Sequence, residues 1–324
     1  MNGRLVTWRV MGVIVVLSLA ASPAAGQSAT NARPSLRTPW GDPDLQGLWT
    51  NATITPFERP RELADKQTLS AEEAAAFEKQ TLQARDADRR EGAGADADLA
   101  LAYNQFWYDR GTKVVSTRRT SLVTDPPDGR VPSLTLEGQR RADARAAARR
   151  SSPADGPEDR PLAERCILWP TAGPPMLPSG YNNNYQVLQT PAHVVILIEM
   201  IHDVRIIPLD GRPHASPNIR QWLGDSRGRW DGNTLVVTTT NYTNKTNFRG
   251  ASEHLRLTER FTRVDAETIN YEFTVDDPTT FTKPWTAAIP MTKAEGPIFE
   301  YACHEGNYGM TNLLSGARTE EKDR

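Results

Sequence analysis

The stretch HVVILIEMIHDVRIIPL, His193 to Leu209, decides the fold. Val, Ile and Leu dominate it, and side chains of an extended chain face alternate ways. Val194, Ile196, Ile198, Met200, His202, Val204 and Ile206 then share one face, apolar except for the histidine. The opposite face carries His193, Val195, Leu197, Ile201 and Ile207, with Glu199, Asp203 and Arg205 in a row. A strand apolar on both faces is expected to be covered on both.

Similar texture continues down the chain. Segments 187–189, 234–240, 255–263, 268–275, 285–291 and 298–304 are rich in β-branched and aromatic residues, and turn residues separate them. Asp231-Gly232 marks a hairpin turn, and Asp276-Asp277-Pro278 breaks a strand. Successive strands without intervening helices imply an antiparallel meander. Closing that meander into a barrel or a strongly bent sheet removes its edges. The expected fold is therefore mainly β and lipocalin-like by analogy, with the barrel-like domain spanning 161–324.

Residues 27–160 read as an arm and helical segment wrapped around that body. Trp40 and Trp49 are the expected anchors of the Pro-rich arm. Ser70-Ala71-Glu72-Glu73 fits a capping box for a helix running to about Arg90. Leu136 to Arg150 reads as a second helix, basic and Ala-rich, with a solvated face.

Residues 1–26 have the form of a secretory signal: Arg4 and Arg9, an apolar run from Val10 to Ala21, then Ala24-Ala25-Gly26. The run is short for a membrane span. Its removal leaves a chain with no further transmembrane segment and a net charge of −4. That near-neutral balance gives no electrostatic case for nucleic acid as partner. The expected location is periplasmic or secreted. There, Cys166 and Cys303, the only cysteines, are expected to pair.

Carboxylates inside apolar rows, such as Glu199 and Glu259, need an arginine partner or carry a raised pKa. Glu199, Asp203, Glu259, Arg205, His202 and His304 are the candidate catalytic residues. Two loops rich in hydrogen-bonding side chains, 181–185 and 304–308, would be drawn together by the disulfide. Asn183, Asn184, Tyr185 and Asn307, with Tyr271, Trp285 and Tyr301, are candidate ligand contacts suited to a sugar or polyol. Glu199 and His202 do not form a metal motif, because positions i and i+3 of a strand face apart. Neither a metal nor a cofactor is expected. The GxSxG, P-loop and GxGxxG signatures do not occur.

Four motifs carry a resemblance: PDLQGLW at 43–49, RTSLV followed by DPPDGR at 119–130, GRWDGNTL at 228–235, and Asp277-Pro278 with Lys283-Pro284-Trp285. The chain resembles a family of exported bacterial hypothetical proteins. The resemblance implies export and one-domain organisation and carries no activity.

Two functions suit these features best, ahead of a structural or surface-assembly protein that engages a partner through its N-terminal arm. One is an exported enzyme doing acid/base chemistry on a small organic or sugar-like substrate, as a lyase, hydratase, isomerase or hydrolase. The other is a non-catalytic periplasmic carrier of a small ligand, with its pocket lined by aromatics.

Overall fold

The computed structural model describes residues 36–89, 104–245 and 248–322. The expected signal segment, 1–26, and the Gly/Ala/Asp-rich stretch 91–98 lie outside them. Ten strands form a single sheet: β1 (Gly47–Thr50), β2 (Val123–Asp125), β3 (Asn184–Gln189), β4 (His193–Ile198), β5 (Val204–Pro208), β6 (Asp225–Asp231), β7 (Thr234–Thr240), β8 (Arg256–Arg263), β9 (Thr268–Asp276) and β10 (Trp285–Lys293). The order β5-β4-β3-β1-β10-β9-β8-β7-β6 curls into a nearly closed antiparallel barrel of nine strands, and β2 pairs with β10 outside that path. β5 and β6 lie side by side at the seam without a ladder between them.

Three α-helices are present among the described residues: α1 (Ala71–Ala84), α2 (Leu136–Ser151) and α3 (Tyr308–Lys322). The capping box forms as read: Ser70 accepts from the Glu73 amide, and the Glu73 carboxylate accepts from the Ser70 amide.

The expected continuous strand from Val194 to Leu209 is two strands. Glu199 adopts helical dihedrals, and Ile201 and His202 have φ of 60° and 48°. This tight reversal resets the alternation. Ile196 pairs with Arg205 and Val194 with Ile207, so Arg205 and Ile207 join the buried face. Val204 and Ile206, expected among the apolar row, point outward and are 49% and 62% exposed. The expected strand over 298–304 is absent: that segment has no regular structure.

The Pro-rich arm is more than a wrapping. Its Trp49 segment supplies β1, wedged between β3 and β10. Four residues are too few for periodicity to reveal. Trp49 is buried there, donating Nε1–H to Leu45 O at 2.9 Å, with Arg263 over its ring.

Side chains fill the barrel. Trp285 sits among Phe57, Phe248, Phe273 and Phe281, with ring centroids 5.8–6.1 Å away. The 172–177 segment packs against the same core, with Ala172, Met176 and Leu177 buried. Gly228 on β6 lets the seam close: a Cβ there would meet Leu209 Cδ2 at 2.7 Å and Ile207 Cγ2 at 2.8 Å. Gly228→Val is therefore expected to destabilise the protein by about 1–3 kcal/mol through overpacking, read as a lower urea midpoint at unchanged m-value. An unchanged midpoint would show that the seam has slack.

Candidate functional site

The barrel interior holds one charged pair. Arg205 on β5 reaches across to Glu259 on β8, with Nη1 to Oε1 at 3.0 Å and Nη2 to Oε2 at 2.5 Å. Both side chains are buried. Tyr271 donates its hydroxyl to Glu259 Oε1 at 2.8 Å and accepts from the Met176 amide at 3.0 Å. Ser226 and Thr239 share a hydrogen bond beside Arg205. Burial works against the Arg205 charge, but the Glu259 charge outweighs it and holds the guanidinium pKa above its usual value. Burial, reinforced by the Glu259 charge, pushes the Tyr271 phenol well up.

The pair is enclosed, and Arg205 also borders a cleft at the seam. A cleft of about 630 Å³ lies over β5 and β6, walled by Asp203, Arg205, Arg220, Trp222, Ser226 and Arg227. Asp203 immediately precedes β5, two residues before Arg205, so in extended backbone the two side chains lie on one side. Asp203 Oδ2 and Arg205 Nε are both buried and without a hydrogen-bond partner. Burial pushes the Asp203 carboxyl up to about 6, with His202 pulling the other way. A carboxyl tuned near neutrality beside a fixed cation can move a proton and stabilise a developing negative charge.

The remaining candidates are dispersed. Glu199 is buried in the β4–β5 turn, accepting from Asn184 Nδ2 at 2.8 Å and from the Phe299 amide at 3.2 Å. It fastens the 298–305 segment and is not in a row with Asp203 and Arg205. His202 is exposed, with Nδ1 3.0 Å from Tyr301 O. His304 is exposed too, its ring 6.1 Å from that of His202.

The polar loops are brought near one another, but their side chains are spent on structure. Asn183 is fully buried, accepting from the Ser179 amide and donating to Asp109 O and Ser179 O. Tyr185 points into the barrel, where its hydroxyl accepts from Asn51 Nδ2 at 3.2 Å. Tyr271 and Trp285 are in the core. Asn307 donates to Glu164 O at 3.2 Å. Tyr301 and Tyr181 flank Trp169, with centroids 6.3 and 6.2 Å away. Cys166 and Cys303 form a disulfide with Cα atoms 5.7 Å apart.

Sequence reading passed over two features of this region. β6, DSRGRWD, is too polar to announce itself as a strand, yet it forms one wall of the cleft. Its Asp225 accepts from His214 Nδ1 at 2.8 Å, the Ala215 amide at 3.0 Å and Arg227 at 3.1 Å. Eleven residues separate His214 from Asp225, and only the folded chain pairs them.

The seam cleft of a filled, nearly closed β-barrel is thus the candidate site. Comparison with models of known protein families gives no match to this chain, and comparison with curated proteins gives none. Among the described residues, no helix is long and apolar enough to cross a membrane.

Proposed function

We propose that the protein is an exported enzyme performing acid/base chemistry on a small polar, sugar-like molecule held in the β5–β6 cleft. One observation carries the reading: two buried polar atoms without partners, Asp203 Oδ2 and Arg205 Nε, belong to residues lining the same cleft. Native proteins rarely leave such atoms unpaired, and those they leave are commonly completed by water or a ligand, or serve chemistry. Asp203 is the proton carrier. Arg205, locked by Glu259, supplies a fixed positive charge at no cost of reorganisation. The filled barrel weighs against a carrier that holds its ligand inside, as lipocalin-like proteins do. Export is supported by the form of residues 1–26 and by the Cys166–Cys303 disulfide.

The test is turnover of a panel of sugars, sugar acids and polyols by the mature protein, followed by NMR. Asp203→Asn is expected to keep the fold and lower kcat/KM about 10²–10⁴-fold. The wild-type profile should have an acidic limb near pH 6. Full activity in Asp203→Asn, or a panel compound bound tightly and never turned over, would sink the proposal.

Stability gives a second handle on Asp203. The unfolded chain releases this proton near pH 4, whereas the folded protein holds it to about pH 6. Ionisation then favours the unfolded state, so this group's contribution to stability falls as pH rises from about 4 to about 6. Asp203→Asn removes that loss. Its stability relative to wild type should therefore be higher at about pH 7 than at about pH 4, by urea denaturation at both. A pH-independent difference would mean that Asp203 titrates normally.

A further inference from the structure

Trp222 also lines a second cavity. This one, of about 460 Å³, lies between the end of α2, the 158–174 segment and the loops carrying Trp222 and Phe248. Its size falls within the range of small-molecule sites, about 300–1,000 Å³. Leu168, Trp169, Trp222 and Phe248 give it flat apolar walls, and Arg149 and Arg165 stand among its lining residues.

The cavity is lined by four cations, Arg149, Arg160, Arg165 and Lys245, against the two acids Glu158 and Asp159, so its charges are not all neutralised. Arg160 is tied to Glu164 and to Pro153 O, and Arg165 stands 3.6 Å from Glu158. Arg149 is exposed and has neither ion pair nor hydrogen bond among the described residues. Arg141, Arg145 and Arg149 recur every four residues along α2 and so line one face of it. Burial, and then the charges of Arg141 and Arg149, disfavour the charge on Arg145.

We propose that this cavity binds an organic anion with an aromatic or flat cyclic body, the ring between the tryptophans and the anionic group toward Arg149 and Arg165. Aromatic walls reward a flat apolar ring, and guanidinium groups match carboxylate geometry. The site is separate from the acid/base residues of the neighbouring cleft and stands without them.

Calorimetric titration of the mature, oxidised protein with naphthalene-2-carboxylate and with naphthalene-2-carboxamide tests this. The acid is expected to bind at least about tenfold tighter than the neutral amide, and raising the salt concentration should narrow the gap. Arg149→Ala and Arg165→Gln are each expected to weaken the acid about fivefold. Asp203→Asn, whose side chain faces the other cleft, should leave its affinity unchanged. Equal affinity for acid and amide, no binding of the acid at millimolar concentration, or an affinity unmoved in the Arg149→Ala/Arg165→Gln double variant would overturn the proposal. A loss in Asp203→Asn equal to that in Arg149→Ala would place the anion in the seam cleft, and would overturn it as well.

Discussion

Glu259→Ala lowers the free energy of unfolding by about 3–5 kcal/mol, because it leaves the buried Arg205 guanidinium without its counter-charge. The pair is bidentate and fully enclosed, and Tyr271 donates to the same carboxylate. Removing one member strips the other of compensation while its desolvation cost remains. Replacing both members with apolar side chains, Arg205→Met with Glu259→Leu, should recover most of that loss. Urea denaturation followed by tryptophan fluorescence measures all three proteins. A loss below about 1 kcal/mol in Glu259→Ala would mean that water reaches Arg205 through the seam and solvates it.

The same double variant separates two roles. If Arg205 matters only for packing, the repaired protein keeps whatever turnover the wild type has. If its charge serves the chemistry of the cleft, the protein regains stability and stays inactive. Natural sequences retain a buried ion pair at the expense of stability where it does something an apolar pair cannot.

The barrel itself was legible in the sequence. β7, β8, β9 and β10 announce themselves by alternation and by the turns between them, and Glu259 appeared there as a carboxylate within an apolar row. That pattern raised two alternatives, an arginine partner or a raised pKa, and the structure supplies the arginine. The β4–β5 turn was illegible for a definite reason. Met200, Ile201 and His202 look extended by composition, and nothing short of the fold shows Ile201 and His202 at positive φ. The parity error that followed misplaced Arg205, Ile207, Val204 and Ile206 together, since one shift of register reverses every later face.

Site residues are harder to read than strands. Asn183, Tyr185 and Asn307 offer hydrogen-bonding capacity, and each uses some of it on a backbone or side-chain partner. Asp277, in one of the motifs that carry the resemblance, likewise accepts from Ser252, Thr279 and Thr280 to hold its turn. A polar residue type advertises a need for partners and not whether the partner is a ligand. Asp203 differs from these three and from Asp277 in that one of its oxygens is buried and unclaimed, a fact that only coordinates contain.

Removing the disulfide with Cys166→Ser and Cys303→Ser is expected to lower stability by about 4–5 kcal/mol, since the bridge closes a long loop of sequence separation 137. The residues around Cys303 explain why the effect should also be felt in the cleft. Residues 298–305 belong to no strand. They are held by the disulfide, by the Phe299 amide on Glu199 and by His202 against Tyr301 O. His202 is the charge that opposes the upward shift of its neighbour Asp203. Without the bridge, the 298–305 segment should loosen first, so limited proteolysis within it should precede global unfolding. His202 then loses its hydrogen bond to Tyr301 O. A reduced protein as stable as the oxidised one, and as resistant to cleavage, would show that the other helical and loop anchors, including Arg318 on Ala154 O and Asp155 O, suffice to hold the C-terminal segment. A lowered midpoint with early cleavage at 298–305 would make the bridge a support of both the barrel and its C-terminal segment.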